Sequence, residues 1–199
     1  MNSKAIIVLI ISMCALLIQC RKENADSKQE SCVTEEQITS DFDKFYIYYP
    51  GPQKNGYAKA IKINKEWKAS AIIWNGILTI KFETFTTEEE ENRGFESEIV
   101  YINVLTPKIG CTELGNRKAE VISEIFFTAV KGDTNQNIYI ADTLKSNKLY
   151  IDTLDFVNNR ISGKFMFSAK KASYSLGGPW YNLDELRFFN GEFHSNIID

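Results

Sequence analysis

From Tyr57 onward, apolar and polar residues alternate with a period of two in short runs, and no long helical pattern interrupts them. Leu78, Ile80 and Phe82 lie on one face with Thr79, Lys81 and Glu83 on the other, which predicts a strand with one buried side. Ile99 to Leu105 is more uniformly apolar and β-branched, so it reads as a central strand covered on both sides. Tyr57 to Ile63, Glu120 to Val130, Ile138 to Leu144 and Leu149 to Val157 continue the series. Asn158-Asn159 predicts a two-residue turn into Ile161 to Ala169, where Ile161, Phe165, Phe167 and Ala169 share a face with Gly163 between them. Asn190-Gly191 separates Leu186–Phe189 from Phe193–Ile197 and reads as a hairpin turn or as a bulge within one strand. The one helical signal is the capping-box spacing of Thr34 to Gln37, which predicts a short helix toward Phe42 before the Pro50-Gly51-Pro52 break. About nine strands with closely spaced turns predict an all-β fold, a single antiparallel β-sandwich or barrel-like domain with at most one short helix.

Upstream of this domain the pattern changes character. Lys4 precedes an almost unbroken apolar run from Ala5 to Ile18, and Arg21-Lys22-Glu23-Asn24 follows at once. That run is shorter than the roughly 20 apolar residues that span a bilayer, so it reads as an export signal. Leu17-Ile18-Gln19-Cys20 resembles a bacterial lipobox, in which Cys20 becomes the acylated first residue and ties the chain to the membrane. Cys14, inside the apolar run, is the poorer alternative. The expected organisation is residues 1–19 as signal peptide, 20–33 as flexible tether and 34–199 as the β-rich domain.

Charge and cysteine usage narrow the picture further. The chain carries 23 basic and 26 acidic residues, for a net charge of −3, and removing a leader whose only charge is Lys4 makes it one unit more negative. No basic stripe appears, which disfavours nucleic acid as a partner. With Cys14 discarded and Cys20 acylated, Cys32 and Cys111 remain; in an oxidising compartment they pair or stand as two free thiols, and the sequence leaves both open. The absence of a CxxC or Cys/His cluster argues against a structural zinc site, and no metal and no cofactor are expected.

Candidate chemistry is sparse. His194 is the only histidine, and its neighbour Ser195 would face the opposite side of a strand, so a Ser–His mechanism is not expected. Glycoside hydrolysis needs only two spaced carboxylates. Glu83, Glu96, Glu98, Glu120, Glu124, Asp152 and Asp155 are available, but most alternate with apolar residues and are expected on solvated strand faces. Gly132 to Asn137 places oxygen side chains as a calcium loop does, then has Ile138 and Leu144 where a glycine and a bidentate glutamate belong. It reads as a polar hairpin loop. Trp180 and Tyr181, just after Gly177-Gly178-Pro179, are the candidate binding residues: exposed, they would stack on a sugar or pack on a partner; otherwise they cover the open end of the core.

Three segments carry a family resemblance. Tyr57 to Ala69 is similar to a strand–Asn-Gly-Lys–Trp opening, although here Lys65 follows Asn64 without the glycine. Arg160 to Ala169 resembles an "ISGTF-F-A" strand, and Phe189-Asn190-Gly191-Glu192-Phe193 resembles an "NG-F" closing element. These belong to small lipoproteins of the Bacteroidota classed as a domain of unknown function. The resemblance implies a lipidated envelope β-domain at the outer membrane or cell surface, with no assigned activity. The resulting expectation is a non-enzymatic ligand- or partner-binding domain, its partner a glycan or an envelope protein. A structural subunit of an envelope complex is the alternative, and an envelope glycan hydrolase the third reading.

Overall fold

The computed structural model describes residues 30–37, 50, 55–62, 65–74, 78–85, 87–92, 97–115, 117–118, 121–131, 134–172 and 183–198, with backbone alone for 90–91, 117–118, 121–131 and 134–136. The alternating runs form eleven strands: β1 Gly56–Lys62, β2 Lys65–Trp74, β3 Leu78–Thr84, β4 Glu98–Val104, β5 Gly110–Glu113, β6 Arg117–Lys118, β7 Val121–Lys131, β8 Thr134–Ala141, β9 Lys148–Asp155, β10 Arg160–Lys171 and β11 Glu185–Ile198. Among the described residues one short helix, α1 (Glu88–Asn92), stands between β3 and β4. The fold is all-β and almost wholly antiparallel.

The strands make one strongly curled sheet. β1, β2, β3, β4, β7, β8, β10 and β11 pair each with the next, and β11 returns to β1. β10 makes this possible by dividing its length: Arg160 to Met166 pairs with β9, and Ala169 to Lys171 pairs with β8. β9 and then β5 extend outward from the β10 seam as a flap.

The inward stripes fill the curl with rings. Trp67, Phe82, Phe165, Phe167, Phe188 and Phe193 are buried. Phe167 stacks on Phe188 with centroids 4.5 Å apart, Phe82 on Phe165 at 5.0 Å, and Trp67 meets Phe188 edge-on at 5.1 Å. The space for so many rings comes from small neighbours, because Ala58, Ala60, Ala69 and Ala71 line the same interior on β1 and β2. Gly163 serves the same end: a Cβ there would stand 2.1 Å from the Tyr150 carbonyl and 2.9 Å from the Phe193 ring. Removing one such ring by substitution to alanine typically costs about 3–5 kcal/mol.

Several local expectations are corrected by non-local contacts. Thr34 to Gln37 is not helical. Glu36 instead offers its N–H to Asn190 Oδ1 at 2.8 Å and its carbonyl to Asn190 Nδ2 at 2.9 Å, so the chain lies extended against β11. The compact unit that contains the sheet starts at Ser31, and Cys32 and Val33 pack within it. Asn190-Gly191 is a bulge inside β11, not a hairpin: Asn190 has φ 50°, and the register slips at this level against both β1 and β10. β4 buries Glu98, Val100, Ile102 and Val104 and leaves Ile99, Tyr101 and Asn103 half-buried, so its two faces differ more than its sequence implied.

The β9–β10 turn is wider than the two residues expected, spanning Phe156 to Asn159. Asp155 organises it. One carboxylate oxygen accepts from the N–H groups of Val157 and Asn158 at 3.0 and 2.9 Å, and the other from the Asn158 amide at 2.6 Å. The Asn158 bonds, side chain first, hold the Asp155 carboxyl below its ordinary value of 3.8. The folded state therefore favours the ionised form, and its contribution is full above 3.8 and lost as the pH falls through the depressed folded value. Asp155→Ala is expected to lower the melting temperature at pH 7 and to converge with the parent in acid; parallel melting curves down to pH 2 would refute this role.

Candidate functional site

The inward stripes do not end in apolar residues. On β1 the phase that buries Ala58 and Ala60 also buries Lys62, and on β4 the phase of Val100 and Ile102 buries Glu98. β2 contributes Trp67, at the start of its stripe, and β3 contributes Thr84, at the end of its own. Four strands thus bring four polar groups together at one end of the curl. Lys62 Nζ donates to Glu98 Oε1. Trp67 Nε1 donates to Oε2 at 2.9 Å, and the Thr84 hydroxyl stands 3.5 Å from the same oxygen. The ammonium also lies 5.9 Å from the Phe188 ring centroid.

Both charges are almost wholly withdrawn from water, with side-chain exposures of 7% for Lys62 and 1% for Glu98. Burial dominates over the attraction of Glu98 and lowers the Lys62 pKa from its ordinary value. A pair of this kind gains little net stability over an apolar replacement, yet either charge alone is costly. Among the described residues, every buried side-chain nitrogen and oxygen has a partner.

The other proposed acids are employed separately. Glu83 sits on the outer face with Lys81 Nζ 2.5 Å away, Asp152 is exposed, and Asp155 caps a turn. Glu98 overturns the expectation of a solvated strand face. Glu96 and Glu120 lie outside the described residues, as does the Glu124 side chain. His194 is exposed opposite Tyr57, with ring centroids 6.3 Å apart. Ser195 is buried on the other face, its hydroxyl shared between the carbonyls of Asn55 and Ala71 at 3.1 and 3.2 Å. The two residues therefore do not meet. Among the described residues there is no group of three His, Cys, Asp or Glu side chains placed to hold a metal ion.

A second constellation lies outside the curl. Cys32 and Cys111 form a disulfide, with Cα atoms 6.0 Å apart, across 79 residues of sequence. Val33 is buried beside it against Tyr150 and Met166. Beyond Val33 the strap continues to β10 and β11, where Glu35 meets Lys164 at 3.1 Å and Glu36 pairs with Arg187. The exposed Glu35–Lys164 pair is worth at most about 1 kcal/mol, whereas a disulfide closing a loop this long adds typically about 2–4 kcal/mol. The bridge is the principal fastening of the strap.

Cys20, Trp180 and Tyr181 lie outside the described residues. The connection that holds Trp180 and Tyr181 is fastened at its base: the Lys171 N–H donates to the Asp184 carbonyl at 2.9 Å, and the Tyr139 hydroxyl donates to the Leu183 carbonyl at 2.9 Å. Burial, with the Asp184 carboxylate, raises the Tyr139 pKa above its ordinary value. By register this connection leaves the sheet at the same end as the Lys62–Glu98 pair, since Lys170 opposes Glu185 and Lys62 opposes Phe188.

Comparison with known proteins returned no match among family models, curated proteins or solved structures.

Lys62→Met and Glu98→Leu are each expected to destabilise the fold by about 3–5 kcal/mol, and the double variant to recover most of that loss. Chemical denaturation of the four proteins checks this. Additive losses would refute a pair whose cost lies in an uncompensated charge.

Proposed function

We propose that the chain is a cell-envelope lipoprotein, anchored through acylated Cys20 after loss of residues 1–19, whose β-domain binds a ligand or partner without catalysing a reaction. The observation that carries this reading is the Cys32–Cys111 bridge. Disulfides persist in oxidising compartments, so the bridge supports the export that the leader implies. The resemblance to Bacteroidota lipoproteins belongs to the same proposal.

The internal chemistry favours binding over catalysis. Ser195, Glu98, Glu83 and Asp155 each have structural partners, and His194 is exposed on the opposite face of β11 from Ser195. The interior is occupied by stacked rings, which directs recognition to the loops and the outer surface, including the connection with Trp180 and Tyr181. The alternative, a structural subunit of an envelope complex, is favoured by β5, the last strand in the sheet order. Its span of Gly110–Glu113 makes only a short edge for pairing with another chain.

Labelled palmitate is expected to enter the parent and Cys14→Ser, and not Cys20→Ser. Label lost from Cys14→Ser and kept in Cys20→Ser would overturn the anchor. For the binding half, retention on a glycan array that disappears in Trp180→Ala identifies a sugar ligand bound at the connection. Silence on the array with a stably co-purifying protein would reject the sugar.

A further inference from the structure

Among the described residues four of the eight exposed large apolar side chains lie in two loops, while Tyr57, Ile140, Leu144 and Leu183 lie elsewhere. Leu105 and Ile109, 37% and 54% exposed, lie in the β4–β5 connection, and Phe156 and Val157, 47% and 91% exposed, form the tip of the β9–β10 turn. Gly110 opposes Ile151 in an antiparallel pair. The chain before Gly110 and the chain after Ile151 therefore leave that pair in the same direction, toward the end of the sheet at which β9 turns into β10. Lys108, in the first of these loops, and Arg160, the first residue of β10, are exposed. Of the neighbouring carboxylates, Asp155 is engaged by the turn's own N–H groups, and Asp152 is exposed on β9.

The chain toward Cys20 leaves from beside β5: Cys111 opposes Tyr150, and β9 runs on from there to Asp155 before the Phe156–Val157 tip. Cys111 is two positions from Ile109, and its bond to Cys32 fixes there the point from which the chain runs back toward Cys20. The stretch from Cys20 to Ser31 spans at most about 40 Å fully extended. A domain of this size has a radius of gyration of about 15 Å, so an acylated Cys20 keeps its surface within reach of the bilayer at all times. Apolar tips flanked by cations are the chemistry that enters an anionic phospholipid interface, with rings and aliphatic side chains among the acyl chains and basic groups at the phosphates.

We propose that the rim formed by Leu105, Ile109, Phe156 and Val157 docks on the phospholipid bilayer that holds the anchor and so sets the orientation of the domain. This rests on the lipoprotein reading, and its test separates the two. Acylated chain carrying Val157→Cys, labelled with an environment-sensitive fluorophore, is reconstituted into phosphatidylethanolamine–phosphatidylglycerol vesicles containing a doxyl-labelled acyl chain. The control is the same label at Glu88→Cys on α1, at the opposite end of the sheet. Quenching at position 157 is expected to exceed that at 88 by about threefold or more, as for a group buried about 5–10 Å into the interface. Adding Phe156→Ser and Ile109→Ser should reduce it to the control level. Protein that floats with the vesicles but shows equal quenching at both positions overturns the docking alone. Protein that fails to float overturns the anchor and the docking together.

Discussion

The architecture depends on one change of phase in β11. Leu186 and Phe188 point inward from even positions, whereas Gly191, Phe193, Ser195 and Ile197 point inward from odd ones. An uninterrupted strand would send one of these sets outside, because side chains alternate strictly along a pleat. The extra residue at the Asn190 bulge absorbs the difference. Asn190 takes the left-handed backbone that the bulge requires, a conformation asparagine tolerates better than most residues. Gly191 then passes beneath Phe165, where a Cβ would come within 2.5 Å of the Phe165 carbonyl and 2.6 Å of its ring. Because β11 is bonded to both β1 and β10, the slip is shared by both neighbours, and Phe188 and Phe193 enter one core from a single strand.

The same bulge connects the interior to the outer strap. Asn190 can reach Glu36 because its backbone is turned out of the regular ladder, and its amide holds both the N–H and the carbonyl of that residue. With the Cys32–Cys111 bridge at one end and this clamp at the other, the strap crosses from β5 to β11 over the seam where β10 changes partners. Met166 lies at that seam and is buried on the outer side against Val33 and Tyr150. A strand expected to have one buried face is thus covered on both.

How much of this was legible follows from the range of each interaction. The alternation of Leu78, Ile80 and Phe82 and the common face of Ile161, Phe165, Phe167 and Ala169 were readable, since burial along a strand follows period two. Hairpin and bulge could not be separated at Asn190-Gly191, because the dipeptide serves both and the decision lies with β1 and β10, far away in sequence. The capping box at Thr34 described a local preference that Asn190 outbid from 154 residues away. The Lys62–Glu98 pair was visible in principle. Each member continues an inward stripe, Lys62 after Ala58 and Ala60, Glu98 before Val100 and Ile102. Glu98 alone reads as a solvated strand residue, because a charge in such a phase is more often the wet end of a strand, and its partner stands on another strand.

That pair bears on how the fold separates stability from recognition. A carboxylate with Lys62 and the Trp67 indole as donors in a ring-lined interior is committed to holding the ends of β1, β2, β3 and β4 in register. The pairing is directional where apolar contacts are not, and it opposes slippage at the end of the curl where the inward stripes run out of aliphatic residues. The interior thereby consumes its own polar groups. On the proposed binding reading, recognition is left to groups the core does not require: the apolar tips at one end, the loop beyond Lys171 at the other, and the strap face between them.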